Sequence, residues 1–126
     1  MSAGVTLDAG ALIALDRRDR RIIVLLTRAV ETGARVTIPA TALAQSIRDP
    51  ARQVRLARLV RQPSTDVVAL DRVDATSVGR LLSVTGSADV VDAHVVVCAR
   101  RVRQTIVTSD PGDLLALDPT ARVITV

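Results

Sequence analysis

The stretch DVVDAHVVVCARRVRQTIVTSDPGDLLAL, residues 89–117, decides the fold. It divides into a run with helical spacing (DVVDAHVVVCARRV), a short β-branched run (QTIVTSD) and a second helical piece (PGDLLAL) opened by a first-turn proline. Four carboxylates, Asp89, Asp92, Asp110 and Asp113, stand in this otherwise apolar segment. A helix followed by a strand and another helix is the grammar of a parallel α/β sheet, and the acids fall where its pieces join.

Toward the N-terminus the same alternation repeats. VTLDA (5–9) reads as a strand and GALIALDRR as a short helix, and RRIIVLLTRAVETG as a helix closing on Gly33. ARVTIP is a second strand stopped by Pro39, ATALAQSIRD a helix, and a further helix follows Pro50. Arg52, Arg55, Arg58 and Arg61 sweep one half of that helix, with Leu56, Ala57 and Val60 on the other. DVVAL (66–70) is a third strand, DRVDATSVGRLLSVTG a helix ending at Gly86, QTIVTSD the fourth strand and RVITV the fifth. Such alternation predicts a buried parallel sheet with helices on both faces. Residues 1–126 read as a single domain without repeat or linker.

Composition narrows the function. Hydrophobic residues make up 48% of the chain, with no 18-residue uncharged run, so a membrane span is not expected. The opening MSAGVTLDAGALIAL has no basic leader and carries Asp8 within its apolar run, which predicts a cytoplasmic protein. All 17 basic residues are arginine, which excludes chemistry that needs a lysine. The formal charge of +4 suits a polyanion or an acidic partner, and the absence of Phe, Tyr and Trp argues against a base-stacking platform. Cys98 reads as a small buried core residue, and His94, about 200° around the helix from Asp92, as structural or solvent-facing.

The acids carry the chemistry. In an open parallel sheet ligands gather outside the carboxyl ends of the strands, where Asp8 closes the first strand and Asp110 the fourth. Asp89 and Asp92 lie near the start of the helix that precedes the fourth strand. Singly, each aspartate also fits a helix cap or first turn: Asp8, Asp89 and Asp110 as N-caps, Asp92 and Asp113 as first-turn acids. Together, three carboxylates within about 5 Å would repel by roughly 3 kcal/mol per pair at an effective dielectric of about 20. Such a cluster must hold protons or a cation, and all-oxygen ligation selects Mg²⁺ or Mn²⁺. Thr108 and Ser109 could orient Asp110 or a water.

VTLDAGALIAL, IPATALAQSIR, SADVVDAHVVVCA and IVTSDPGDLLAL resemble, in order and spacing, the motifs of PIN-domain proteins, especially VapC-type toxin ribonucleases. The resemblance implies a three-layer α/β/α fold whose parallel five-stranded sheet has the order 3-2-1-4-5. It further implies a metal-dependent endoribonuclease with Asp8, Asp92 and Asp110 as catalytic metal ligands and Asp89 and Asp113 as accessory acids. The helix after strand two usually carries a glutamate in this family, and Gln45 stands at that position here. Glutamine keeps an acceptor oxygen but loses the charge, so weakened metal binding, or an inactive PIN-like binding module, is the alternative expectation. The resemblance also implies an RNA substrate, a VapB-type antitoxin and a homodimer. Arg17, Arg18, Arg20 and Arg21, with Arg52 and Arg55 of the later arc, are the candidates for holding RNA, and each reads equally well as part of a solvated basic face. A receiver domain is excluded by the missing lysine, a P-loop enzyme by the missing glycine-lysine motif, and a haloacid-dehalogenase-like phosphatase by LDAGAL in place of D-x-D.

Overall fold

Five short strands, β1 (Val5–Leu7), β2 (Val36–Pro39), β3 (Thr65–Val68), β4 (Thr105–Thr108) and β5 (Val123–Thr125), pair in parallel in the order β3-β2-β1-β4-β5. The computed structural model describes residues 4–126, so the reading of the first three residues as leaderless lies outside the described residues. Seven α-helices connect the strands: α1 (Ala9–Asp16), α2 (Arg20–Thr32), α3 (Ala40–Ser46), α4 (Val54–Arg61), α5 (Arg72–Thr85), α6 (Val90–Val102) and α7 (Pro111–Leu117).

The topology sets the layers. The chain steps from β1 outward through β2 to β3, then returns across the sheet to β4 and β5. Right-handed crossovers therefore place α1, α2 and α4 on one face and α5–α7 on the other, with α3 at the carboxyl edge touching both α1 and α6. Packing agrees: α6 lies on β1, β2 and β4 with α5 and α7 beside it, while α1 packs on α2 and α4, and α4 on β3. This is the predicted α/β architecture of PIN type. The core is aliphatic, centred on Leu7, Leu12, Ile22, Ile38, Val95, Val96, Ile106, Val107 and Leu114.

Central strands β1 and β2 are buried throughout, whereas edge strands β3 and β5 are partly exposed. Two elements differ from the sequence reading. The third strand spans 65–68 rather than 66–70, because its register follows β2, whose last paired residue is Pro39 against Val68. Pro50 opens a separate 3₁₀ turn (Pro50–Arg52) instead of the arginine-bearing helix. The Gln53 side chain explains the break: buried, it accepts from the N–H groups of Arg48 and Asp49 and donates to the Ser46 carbonyl, and α4 starts only at Val54. Arg52 thus stands outside the helical arc and pairs with Asp49 at 3.5 Å. Gly33 and Gly86 end α2 and α5 in the left-handed region, at φ 70° and 74°, where a glycine avoids the Cβ penalty.

Candidate active site

Strand order reverses between β1 and β4, which are neighbours in register Leu7 to Val107. Such a switch point opens a crevice at the carboxyl ends of both strands. Asp8 follows β1 directly, and its N–H donates to the Val107 carbonyl at 3.2 Å. Its buried carboxylate caps α1, accepting the Ala11 N–H at 2.8 Å. Burial pushes this acid above the ordinary carboxylate range against the opposing pull of the Thr108 hydroxyl and the Ala11 amide, and the charge of Asp110 pushes it further.

Beyond β4, the wholly buried Thr108 accepts the Asp110 N–H at 2.9 Å, orienting the backbone that carries Asp110. The exposed Asp110 sits at the cap position of α7 but makes no side-chain capping bond, and its charge acts on Asp8 and Asp113. Ser109 stands against Gly10 at the start of α1: a Cβ on Gly10 would lie 2.2 Å from the Ser109 Oγ and 3.4 Å from Asp8 Oδ1.

The N-terminus of α6 supplies the third side. Asp89 is its N-cap, accepting the Asp92 N–H at 3.0 Å, and the Ser87 hydroxyl accepts the Asp89 N–H at 3.1 Å. Asp92, half-buried in the first turn, is pushed up to about 7 by burial first, then by the charge and contact of Asp89 and the charges of Asp8 and Asp113. Asp113 of α7 is raised chiefly by the charge of Asp110, then by burial, contact with Asp110 and the charge of Asp89. The fold thus gathers Asp8, Asp89, Asp92, Asp110 and Asp113 into one field of negative charge beside a cavity of about 290 Å³ lined by Ser87, Asp89, Asp92 and Asp113. All-oxygen donors are the chemistry a hard divalent cation takes, but among the described residues no three of these carboxylates bring ligand atoms within 4.8 Å of one another.

Other candidate positions make no hydrogen bond to these acids, although α3, which carries Gln45, packs against α1 and α6. Gln45 is exposed on α3, and the hydrogen bonds around the acids run to Ala11, Thr108 and Asp92 N–H rather than to it. Arg17, Arg18, Arg20 and Arg21 are exposed between α1 and the start of α2, where Arg20, Arg21 and Arg28 line a broad groove of about 750 Å³ with Ile124–Val126. Arg52 and Arg55 are exposed on the opposite flank of the sheet, near β3.

Sequence reasoning missed Gly10, for which no local pattern flagged the approach of Ser109 from the far end of the chain. It also missed a polar group inside α6. His94 is fully buried, with Nδ1 2.8 Å from Thr41 Oγ1 and Nε2 3.1 Å from Asp74 Oδ2, and Arg101 donates to the other Asp74 oxygen. The structural reading of His94 holds, and the four-residue spacing from His94 to Cys98 was the available signal.

The strand order and the acids at its reversal define a PIN-like α/β fold. Solved structures share it along nearly the whole chain. FitAcB from Neisseria gonorrhoeae superposes with a TM-score of 0.65 at 17% identity, covering 96% of each chain. VapBC2 from Rickettsia felis, bound to a DNA fragment from their promoter, gives 0.66 at 14% identity over 96% of this chain and 97% of that one. FitAB bound to an IR36 DNA fragment gives 0.66 at 16% identity, over 96% and 94%. The chain matches no family model and no curated protein sequence at a significant level.

Proposed function

We propose that the protein is a VapC-like toxin: a Mg²⁺- or Mn²⁺-dependent endoribonuclease held in check by a VapB-type antitoxin. The observation that carries this reading is the gathering of Asp8, Asp92 and their acidic neighbours at the β1/β4 switch point, where burial first, and then the charges of Asp89, Asp8 and Asp113, push Asp92 up to about 7. A divalent cation held there supplies Lewis acidity, activating water and neutralising charge that develops on a phosphodiester. Asp8, Asp92 and Asp110 are its ligands in this reading, and Asp89 and Asp113 tune the field from the sides. In support of this reading, the Ala11 N–H that starts α1 orients the Asp8 carboxylate, and the Thr108 hydroxyl, accepting the Asp110 N–H, orients the backbone that carries Asp110.

The arginines flanking α2 hold the RNA backbone, with Arg20 and Arg21 in the groove beside β5 and Arg17 and Arg18 at its rim. Arg52 and Arg55 extend the basic surface on the other flank. The structural neighbours support the antitoxin, since the Rickettsia structure is a VapBC2 assembly on its promoter DNA. Homodimerisation and a cytoplasmic location complete the reading.

One observation favours a second reading, a PIN-like binding module that no longer cuts: Gln45 stands where the family resemblance implies an acid. The deciding experiment incubates the purified protein with structured and unstructured RNAs in Mn²⁺, Mg²⁺ or EDTA, beside Asp8→Asn, Asp92→Asn and Gln45→Glu. Chelator-sensitive cutting lost in both aspartate variants supports the nuclease. Cutting indifferent to chelator and to both substitutions defeats it, and cutting only by Gln45→Glu marks the binding module.

A further inference from the structure

The buried polar group inside α6 has the composition of a second, chemically distinct centre. His94 and Cys98 are four residues apart on one face of α6, and Asp74 reaches them from the first turn of α5. One ligand atom from each, a histidine nitrogen, the Cys98 Sγ and an Asp74 oxygen, lie within 4.8 Å of one another. All three residues are at most 2% exposed.

The outer contacts are those of a metal site. Coordinating histidines are generally fixed by a partner on the other ring nitrogen, and coordinating carboxylates by a donor on the second oxygen. Here Thr41 Oγ1 meets His94 Nδ1, and Arg101 donates to Asp74 Oδ1, leaving His94 Nε2 and Asp74 Oδ2 facing each other at 3.1 Å. Bonds of about 2.0 Å in tetrahedral geometry would separate two such atoms by roughly 3.3 Å, close to the spacing already present.

We propose that Asp74, His94 and Cys98 form a buried site for a borderline-soft divalent ion of the zinc type, clamping α5 to α6. Nitrogen, sulfur and oxygen ligation of this kind selects Zn²⁺ or Co²⁺ over Mg²⁺. The group supplies three ligands, so the fourth position falls to a water.

The protons balance. In the tautomer with its proton on Nε2, the ring donates to Asp74 Oδ2 and Nδ1 accepts from the Thr41 hydroxyl. When Nε2 takes the ion, the ring proton moves to Nδ1 and is donated to Thr41 Oγ1, because a hydroxyl serves as either donor or acceptor. Cys98 loses its proton to solvent and binds as thiolate. Without metal, burial and then Asp74 push that thiol up to about 12, so the free cysteine is inert. Arg101 favours the thiolate and helps hold Asp74 ionised.

The proposal is independent of the nuclease reading, and its test separates the two. The full chain lacks Phe, Tyr and Trp, so its near-ultraviolet absorption is open. Co²⁺ is added to the folded protein and, separately, during refolding from denaturant, and a thiolate-to-cobalt charge-transfer band is read. A band saturating at one ion per chain, kept in Asp110→Asn and absent in Cys98→Ala and Cys98→Ser, is expected. Zn²⁺ should displace the band and raise the unfolding midpoint of the parent but not of Cys98→Ala. Thr41→Val should weaken the ion by roughly 10–100-fold. No band under either loading, or a band surviving both Cys98 variants, overturns the site.

Discussion

Gly10 and Ser109 meet across the carboxyl edge of the sheet so closely that a methyl group on Gly10 would stand 2.2 Å from the Ser109 hydroxyl oxygen. The contact joins the first helical turn after β1 to the loop after β4, beside Asp8. Gly10→Ala should therefore turn the Ser109 side chain or shift its loop, with a stability loss on the order of 1 kcal/mol from the crowded site. Ser109→Ala removes the oxygen in the way. Thermal or urea unfolding of both singles and the double should show a coupling of at least ~0.5 kcal/mol, and strict additivity would mean that the two residues do not touch.

Asp8 does two jobs, and two substitutions separate them. Asp8→Ala removes the acceptor for the Ala11 N–H and should cost about 1 kcal/mol of stability. Asp8→Asn keeps an acceptor while removing a buried charge, so its stability should match or exceed the parent's, while the proposed RNA cutting should fall by orders of magnitude. An asparagine variant as unstable as the alanine one would assign Asp8 to structure alone.

The pH profile of stability should carry the mark of Asp92. Its carboxyl holds a proton up to about 7 in the folded protein against 3.8 for the ordinary group. The folded state thus binds the proton more tightly than the unfolded chain, so metal-free stability is fullest below the ordinary value and declines as pH rises toward about 7. Asp8 and Asp113, also raised, act in the same direction, whereas Asp74 and Asp118 are lowered and lose stability only on further acidification. Midpoints measured in EDTA should fall across this window, Asp92→Asn should flatten the fall, and Mn²⁺ should restore stability at the alkaline end.

Asp74→Ala should be the most destabilising of these changes. It strips the buried His94 Nε2 of its acceptor and leaves the Arg101 guanidinium without its carboxylate, a loss of roughly 3–5 kcal/mol for a buried pair deprived of one member. Arg101, half exposed, can turn toward water, so Arg101→Ala should cost less. Urea unfolding of the two variants gives the order directly.

The alternation of strands and helices and the acids at the strand ends were legible in the sequence because both follow from local pattern, whereas the strand order came only from the family resemblance. Apolar β-branched runs bounded by Pro39, Gly33 and Gly86 mark the elements, and an aspartate immediately after a strand falls at the sheet edge whatever the tertiary detail. Other features depended on partners distant in sequence. The end of β3 was fixed by the length of β2, and the break before Val54 by the Gln53 side chain folding back on Ser46. Asp74 drew no reading from the sequence, since nothing near it announces that α5 will pack its carboxylate against α6.

Asp8 and Asp110 come together only when β4 has slotted in beside β1, from the far end of the chain. A polypeptide emerging from the ribosome therefore carries Asp8 alone of the five crevice acids until the α6–β4–α7 segment has been made. Whatever chemistry the crevice performs is withheld from the nascent chain, and the cell making it has that interval in which to supply a partner.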